Sequence, residues 1–347
     1  MSNPNAPRIA DRRSLAEARA WGDRWPALER AETIGRAEAL GRVLAEALAA
    51  PRDLPGHHRA IIAGYAVRAA DTHGAGPYNP LPQPGAVAVL EGEALPEGAD
   101  AILAPDAAGR DAAGRIEALA AIAEGEGVER RGEILRAGEP ALAPGRSLRA
   151  EALALLAELG LARLRVLCRP RVHLAGGAPA PLLEPLIGRD GGEPAPAAPD
   201  LILTTDAAGA GSLDLHGLAL RPGGGTGLGR RDGVPVVLLP AEPLACLTAY
   251  ELLAGPLLRR LGGHAAALPF PRRPLPLARK IVSSIGWVDV VRVRLSGGRA
   301  DPLGPIEGGG LVTACRADGF VIVPAGREGH GPGETVTVHI TQTRNDD

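Results

Sequence analysis

DLILTTD (200–206) and VPVVLLP (234–240) decide the fold. Each is a short, nearly unbroken apolar run. Such a run suits a strand covered on both faces, the kind that a parallel sheet uses. The second is followed by Leu244–Leu261, an apolar stretch of helical length. Strand, turn and helix in that order predict an α/β layer.

Working outward, LRVLCRPRVHL (164–174) reads as two short strands flanking Pro170. Residues 178–200 are rich in Pro and Gly and read as a loop with at most one short helix. Upstream, ERAETIGRAEALGRVLAEALAA (29–50) places Ile34, Leu40, Val43, Leu44 and Leu48 on one helical face. Helix is therefore expected across 14–50, ended by Pro51. Residues 51–145 carry short apolar runs between Gly and Pro, the pattern of short strands. A second helix is expected over 149–159, closed by Gly160. Downstream, the Pro-rich 268–277 reads as a linker. Val288, Val290, Val291, Val293 and Leu295, then FVIVP and ETVTVHI, predict a small β-domain. The final TRNDD reads as a solvated tail.

Composition bounds the function. The chain has 347 residues, 45% hydrophobic and 22% charged, which suits a soluble globular protein of two to four domains. No apolar run is long enough for a membrane span, and the first residues lack an apolar signal core. Basic and acidic residues number 38 and 40, for a net charge of −2, which argues against a broad nucleic-acid footprint. Cys168, Cys246 and Cys315 form no C-x-x-C pair, so a zinc knuckle or disulfide scaffold is not expected and a reducing, cytoplasmic compartment fits. Lys280, the only lysine, is followed by Ile281, so there is no Walker A loop.

Several residue groups admit two readings. His57, His58 and His73 lack the spacing of a helical metal pair. Gly223–Gly229 suits a phosphate cradle or a plain connection between strands. Arg130 and Arg131 suit an anion site or a solvated face. Cys246 and Cys315 read as small core residues, and Trp21 and Trp25 as core or dimer contacts. Arg189 and Asp190 fall in a predicted loop and carry no signal.

Seven blocks stand in an order that resembles the molybdopterin molybdenumtransferase (MoeA, gephyrin E-domain) family: LPGHHRAIIAGYAVRAAD (54–71), EGEALPEGADAIL (91–103), GEGVERRGEILRAGEPALAPGRSL (125–148), RPRVHLAGG (169–177), DLILTTD, GVPVVLLPAEPLACLTAYELLAGPLLRRLGG (233–263) and CRADGFVIVPAGREGHGPGETVTV (315–338). The resemblance implies a multidomain α/β plus β fold. Its parts would be a helical N-terminal region with an inserted β-domain (1–165), a truncated molybdopterin-binding-like α/β domain (166–264) and a small C-terminal β-barrel (278–347). It also implies a homodimer, or a heterodimer with a paralogue. The family takes adenylylated molybdopterin, molybdate and Mg²⁺, and releases AMP and molybdenum cofactor.

The family's site motifs are eroded here. In D-N-S-A-M-D-G-Y-A, Gly64, Tyr65 and Ala66 survive, but the acids are His58 and Ala63 and the serine is Ala60. R-R-R-G-E-D keeps Arg130, Arg131, Gly132 and Glu133 and ends in Ile134. S-T-G-D-E-L has become Gly176–Pro181, with Pro179 at the acid position. About twenty residues then reach the DLILTTD strand, too few for a full crossover plus another helix. T-T-G-G-x-S-x-G-D keeps Thr204 and Thr205, puts Asp206 at a glycine position and ends in Ser212. K-P-G-K-P is Arg221–Gly225, and G-L-P-G-N-P-V-S keeps Pro240 but gains Glu242.

A methyl group cannot coordinate Mg²⁺, whose ligands are oxygen atoms. New negative charge at Asp206 and Glu242 would repel a phosphate by about 1–4 kcal/mol per close pair. Three functions remain open. One is a catalytically impaired relative that binds molybdopterin or molybdenum cofactor and assists assembly, with a molybdoenzyme as client. A second is a working Mg²⁺-dependent enzyme with a rebuilt site in which Asp206, Asp214 and Glu242 hold the metal. The third is a scaffold without pterin. Gly64, Tyr65, Arg130, Arg131, Thr204, Thr205, Asp206, Asp214, Pro240 and Glu242 are the ligand-binding candidates; no metal ligand is assigned.

Overall fold

The run Leu201–Thr204 is a fully buried strand in a six-stranded mixed sheet. The computed structural model describes residues 12–304, 306, 307 and 309–342; the predicted TRNDD tail lies outside them. The chain divides into two compact units, one of residues 33–40 and 44–165, the other of the remainder. The segments 166–264 and 278–347 thus share one unit, together with the first helix.

In that larger unit the sheet order is Glu193–Pro194, Arg171–Ala175, Leu201–Thr204, Val234–Leu238, Gly227–Arg231 and Ser212–His216. The first four strands are parallel and the last two pairings antiparallel. A single crossover helix, Ala180–Arg189, fits in the shortened segment, and no further helix follows it before Leu201. The chain manages without it because Glu193–Pro194 pairs only with Arg171 and Val172, the start of their strand. From there it reaches Leu201 at the same end of the sheet, so no return along the sheet is needed.

The expected helix at Leu244–Leu261 runs as Pro243–Ala249, a π-turn segment Tyr250–Ala254, and Gly255–Leu261. Its Cys246 is fully buried, and burial pushes the thiol up to about 12, which makes it an inert core residue. Cys315 corrects the same expectation: it is exposed, on a short helix Gly310–Arg316. Trp21 is buried against this core and Trp25 packs beside it, their rings 5.7 Å apart.

Arg189 and Asp190 are not a featureless loop. Asp190 is buried and accepts hydrogen bonds from Arg259 at 2.5 Å and Arg189 at 2.8 Å, tying the end of one helix to another.

The Pro-rich 268–277 is no linker either. Arg272–Pro276 is a strand paired with Thr335–Ile340 at the end of a second sheet. Proline is tolerated there because an edge strand leaves one row of N–H groups unpaired. The order is Leu220–Arg221, Val288–Ser296, Gly319–Val323, Thr335–Ile340, Arg272–Pro276. Leu277 bridges to Ala300 in Arg299–Pro302, itself paired with Val288–Ser296, so the strands return on themselves around Leu277, Val291, Val293, Val321 and Val338.

The 14–50 region departs most from expectation. Only Leu15–Asp23 is α-helix; Ala31–Gly35 and Leu48–Ala49 are strands, with one 3₁₀ turn between. Ile34, Val43 and Leu44 are buried as predicted, but Leu40 is exposed. Helix propensity is a weak prior that tertiary pairing overrides. In the smaller unit, Gly64–Val67 is the middle strand between Val87–Val89 and Ala101–Leu103. The expected helix appears at Ala150–Glu158. Among the described residues no helix is long and apolar enough to cross a membrane.

Candidate functional site

Parallel strands align their carboxyl ends, and ligands of open α/β sheets bind there. Ala175 is in register with Thr204, and Thr204 with Leu238. Gly176 and Gly177 follow the first strand with φ of +55° and +78°. A Cβ on Gly176 would stand 2.5 Å from both the Thr204 hydroxyl and the Asp206 Cβ, so the two loops touch and only glycine fits. Thr205 Oγ1 donates to the Gly176 carbonyl at 2.6 Å. Thr204 Oγ1 accepts from the Asp206 N–H at 3.0 Å.

The charged candidates at this part of the unit are all engaged by their own chain. Asp206 Oδ1 accepts from the Ala208 N–H at 2.9 Å. Glu242 caps the helix that begins at Pro243, accepting from Ala245 N–H at 2.7 Å. Asp214 lies on the strand at the far edge of the sheet, and its Oδ2 accepts the Trp21 indole N–H at 2.7 Å. Arg221 donates to both oxygens of buried Asp289, at 2.7 and 2.8 Å, and its guanidinium lies 4.8 Å from the Trp287 ring centre. Pro179 precedes the crossover helix and offers no cap, and Ser212 is exposed at a strand start. Pro240 is partly covered between strand and helix.

The glycine-rich 223–229 forms a turn closed by Thr226 onto the Gly223 carbonyl, then enters the buried strand Gly227–Arg231. It is a connection between strands, and Gly223, Gly224, Gly227 and Gly229 stand where a Cβ would crowd neighbouring atoms.

In the smaller unit, the surviving Gly64 and Tyr65 are scaffold. A Cβ on Gly64 would meet the Leu103 carbonyl at 2.5 Å. Tyr65 accepts from Arg110 at 3.2 Å. Ala63 is exposed where the family has an acid, and Ile134 is 55% exposed.

Around Arg131 the structure gathers groups the sequence reading did not join. The Arg131 N–H donates to His58 Nδ1 at 3.3 Å, and its guanidinium donates to Asp53 at 2.8 Å. Asp53 also accepts from the Ala137 N–H at 2.9 Å. That bond first, and Arg131 second, hold its carboxyl below the usual range. Asp53 escaped the sequence reading because its partner lies 78 residues away. Arg130 and Arg131 remain exposed, the former beside Glu124. Among the described residues no three His, Cys, Asp or Glu side chains are grouped to hold a metal ion.

Comparison with known proteins follows the same lines. The MoeA N-terminal region (domain I and II) matches residues 13–160, and the MoeA C-terminal region (domain IV) matches 274–341. Molybdopterin molybdenumtransferase 2 of Mycobacterium tuberculosis is 29% identical over 319 residues, covering 70% of this chain and 77% of that protein. A putative molybdopterin biosynthesis protein of Methanocaldococcus jannaschii is 25% identical over 371 residues, covering 87% and 90%. The crystal structure of the molybdopterin biosynthesis moeA protein from Pyrococcus horikoshii OT3 shares the fold, with a TM-score of 0.80, 24% identity, and coverage of 95% of this chain and 100% of that one. With both terminal regions matched and the sheet edges laid out as above, the chain belongs to the MoeA, or molybdopterin molybdenumtransferase, family.

Proposed function

We propose that this protein serves molybdenum cofactor biosynthesis as a binding or assembly partner with impaired metal-insertion activity. One observation carries the reading. Asp206, Asp214, Glu242 and Arg221, the charged groups left at the eroded motifs of the α/β part, are each engaged by a partner within their own chain. The positions where the resemblance expects acids hold His58, Ala63, Ile134, Pro179 and Ser212. These offer no carboxylate, so the residues present do not fit Mg²⁺.

The rebuilt-site alternative needs Asp206, Asp214 and Glu242 to converge. Their separate partners favour the impaired reading instead.

Backbone N–H groups at Gly176 and Gly177 and the hydroxyls of Thr204 and Thr205 are the groups left in the larger unit to hold molybdopterin or molybdenum cofactor; in the smaller unit the exposed Arg130 and Arg131 are a separate candidate for an anion. The partner we assign is a second copy or a family paralogue, with a molybdoenzyme as client, in the cytoplasm. Its proposed functional divisions are 1–165, 166–264 and 278–347.

The test is AMP release from adenylylated molybdopterin with molybdate and Mg²⁺. Release far below that of an ordinary family member is expected. Comparable turnover would contradict the proposal. Oxidised-pterin fluorescence of the purified protein then separates a cofactor-binding partner from a pterin-free scaffold.

A further inference from the structure

A cavity of about 470 Å³ opens in the larger unit, away from the sheet edge described above. Helix Leu15–Asp23, the helical run 250–261, and strands holding Arg272, Ile322 and His339 wall it. The size is that of a small-molecule site, and the lining is mostly apolar, with Leu252, Leu257, Leu268 and Ile322 contributing.

Its polar groups are unusual. Arg260 is paired with Asp23, so that charge is balanced. Arg19 and Arg272 also line the cavity, and among the described residues neither guanidinium has a hydrogen-bond or ion-pair partner. No other carboxylate stands on its wall, so two positive charges remain uncompensated. His339 lies against the same space, stacked on Phe320 with ring centres 5.0 Å apart. Burial first, then Arg272 and Arg19, hold its imidazole below the usual histidine range. Its Nδ1 is buried without a hydrogen-bond partner among the described residues. A buried polar atom left unpaired costs stability.

We propose that this cavity binds a small organic anion, with an aromatic or branched apolar body and one terminal anionic group held by Arg19 and Arg272. The apolar wall takes the body by burial, and the guanidiniums take the head by charge-assisted hydrogen bonds. This does not depend on the pterin reading, because no residue is shared with it.

The probe is 1-anilinonaphthalene-8-sulfonate, followed by fluorescence titration of the full chain. Its uncharged counterpart N-phenyl-1-naphthylamine has the same body without the head. Saturable binding at one dye per chain is expected, with the neutral dye weaker by about tenfold or more, the value of one charge-assisted hydrogen bond. Arg19→Gln and Arg272→Gln, both at exposed positions, should each weaken the sulfonate by a similar factor and leave the neutral dye unchanged. Ala267→Trp, at an exposed lining position, should block both dyes. Absence of dye binding, equal affinity for the two dyes, or arginine variants with unchanged affinity would overturn the proposal.

Discussion

Arg221 and Asp289 are joined by two parallel hydrogen bonds, with the Asp289 carboxylate fully buried and also accepting from Ser283 at 2.6 Å. This joins the residue at the family's Lys-Pro-Gly-Lys position to the C-terminal strands. A guanidinium held this way acts as a structural clamp. Arg221→Met strands a buried carboxylate and should cost about 3 kcal/mol in denaturant unfolding. Binding of AMP, measured by calorimetry, should not change. Intact stability with altered AMP binding would instead make Arg221 a ligand contact.

Asp190 and Arg259 form another deeply buried clamp of this unit, with side-chain exposures of 0% and 7%. Breaking a buried pair on one side costs about 3–5 kcal/mol, whereas replacing both partners with apolar groups is often nearly neutral. Asp190→Asn should therefore destabilise strongly, and Asp190→Leu with Arg259→Met should recover much of the loss. Urea midpoints for the single and double variants decide it. A double variant as unstable as the single would mean that the charges contribute more than packing can replace.

The parts of the fold legible in the sequence are those where one residue run suffices. VPVVLLP and DLILTTD are apolar along their whole length, and both lie in the parallel region of the sheet. Residues 29–50 failed because Ala and Leu at helical spacing also suit short strands that bury every second or third residue. Ile34, Val43 and Leu44 do reach the core, but from strand and turn.

The residues standing at the expected site motifs are read directly from the sequence. The fate of the remaining charges is not, since it depends on distant partners: Trp21 and Asp214 lie 193 residues apart. Nothing local in the sequence marks such a pair. The Arg189–Asp190 clamp was hidden for the same reason, its other arginine being 69 residues away.

Asp53 supplies a pH prediction. Its carboxyl is held below the usual range, chiefly by the Ala137 N–H and then by Arg131. A depressed folded-state value stabilises the protein above the unfolded value of about 3.9, and that stability is lost as pH falls through the folded value. Asp53→Asn should therefore flatten the acid limb of stability while lowering stability at neutral pH. Urea midpoints from about pH 6 down to about pH 2.5 would show it. Parallel curves for parent and variant would mean that Asp53 titrates alike in both states.

Asp206 stands at a glycine position of a motif beside the sheet's carboxyl edge, with its Cβ close against Gly176. If a phosphate-bearing ligand enters this edge, it meets a carboxylate whose repulsion amounts to about 1–4 kcal/mol at close range. Asp206→Asn removes the charge and keeps an oxygen able to accept from Ala208, so the turn survives. Affinity for adenylylated molybdopterin should then rise about tenfold or more, a gain of about 1.4 kcal/mol or more. Salt should help the parent by screening the repulsion and should help the variant less. Equal affinities and equal salt responses in calorimetry would place the ligand phosphate beyond the reach of this carboxylate, and the added negative charge at this edge would then have no bearing on binding.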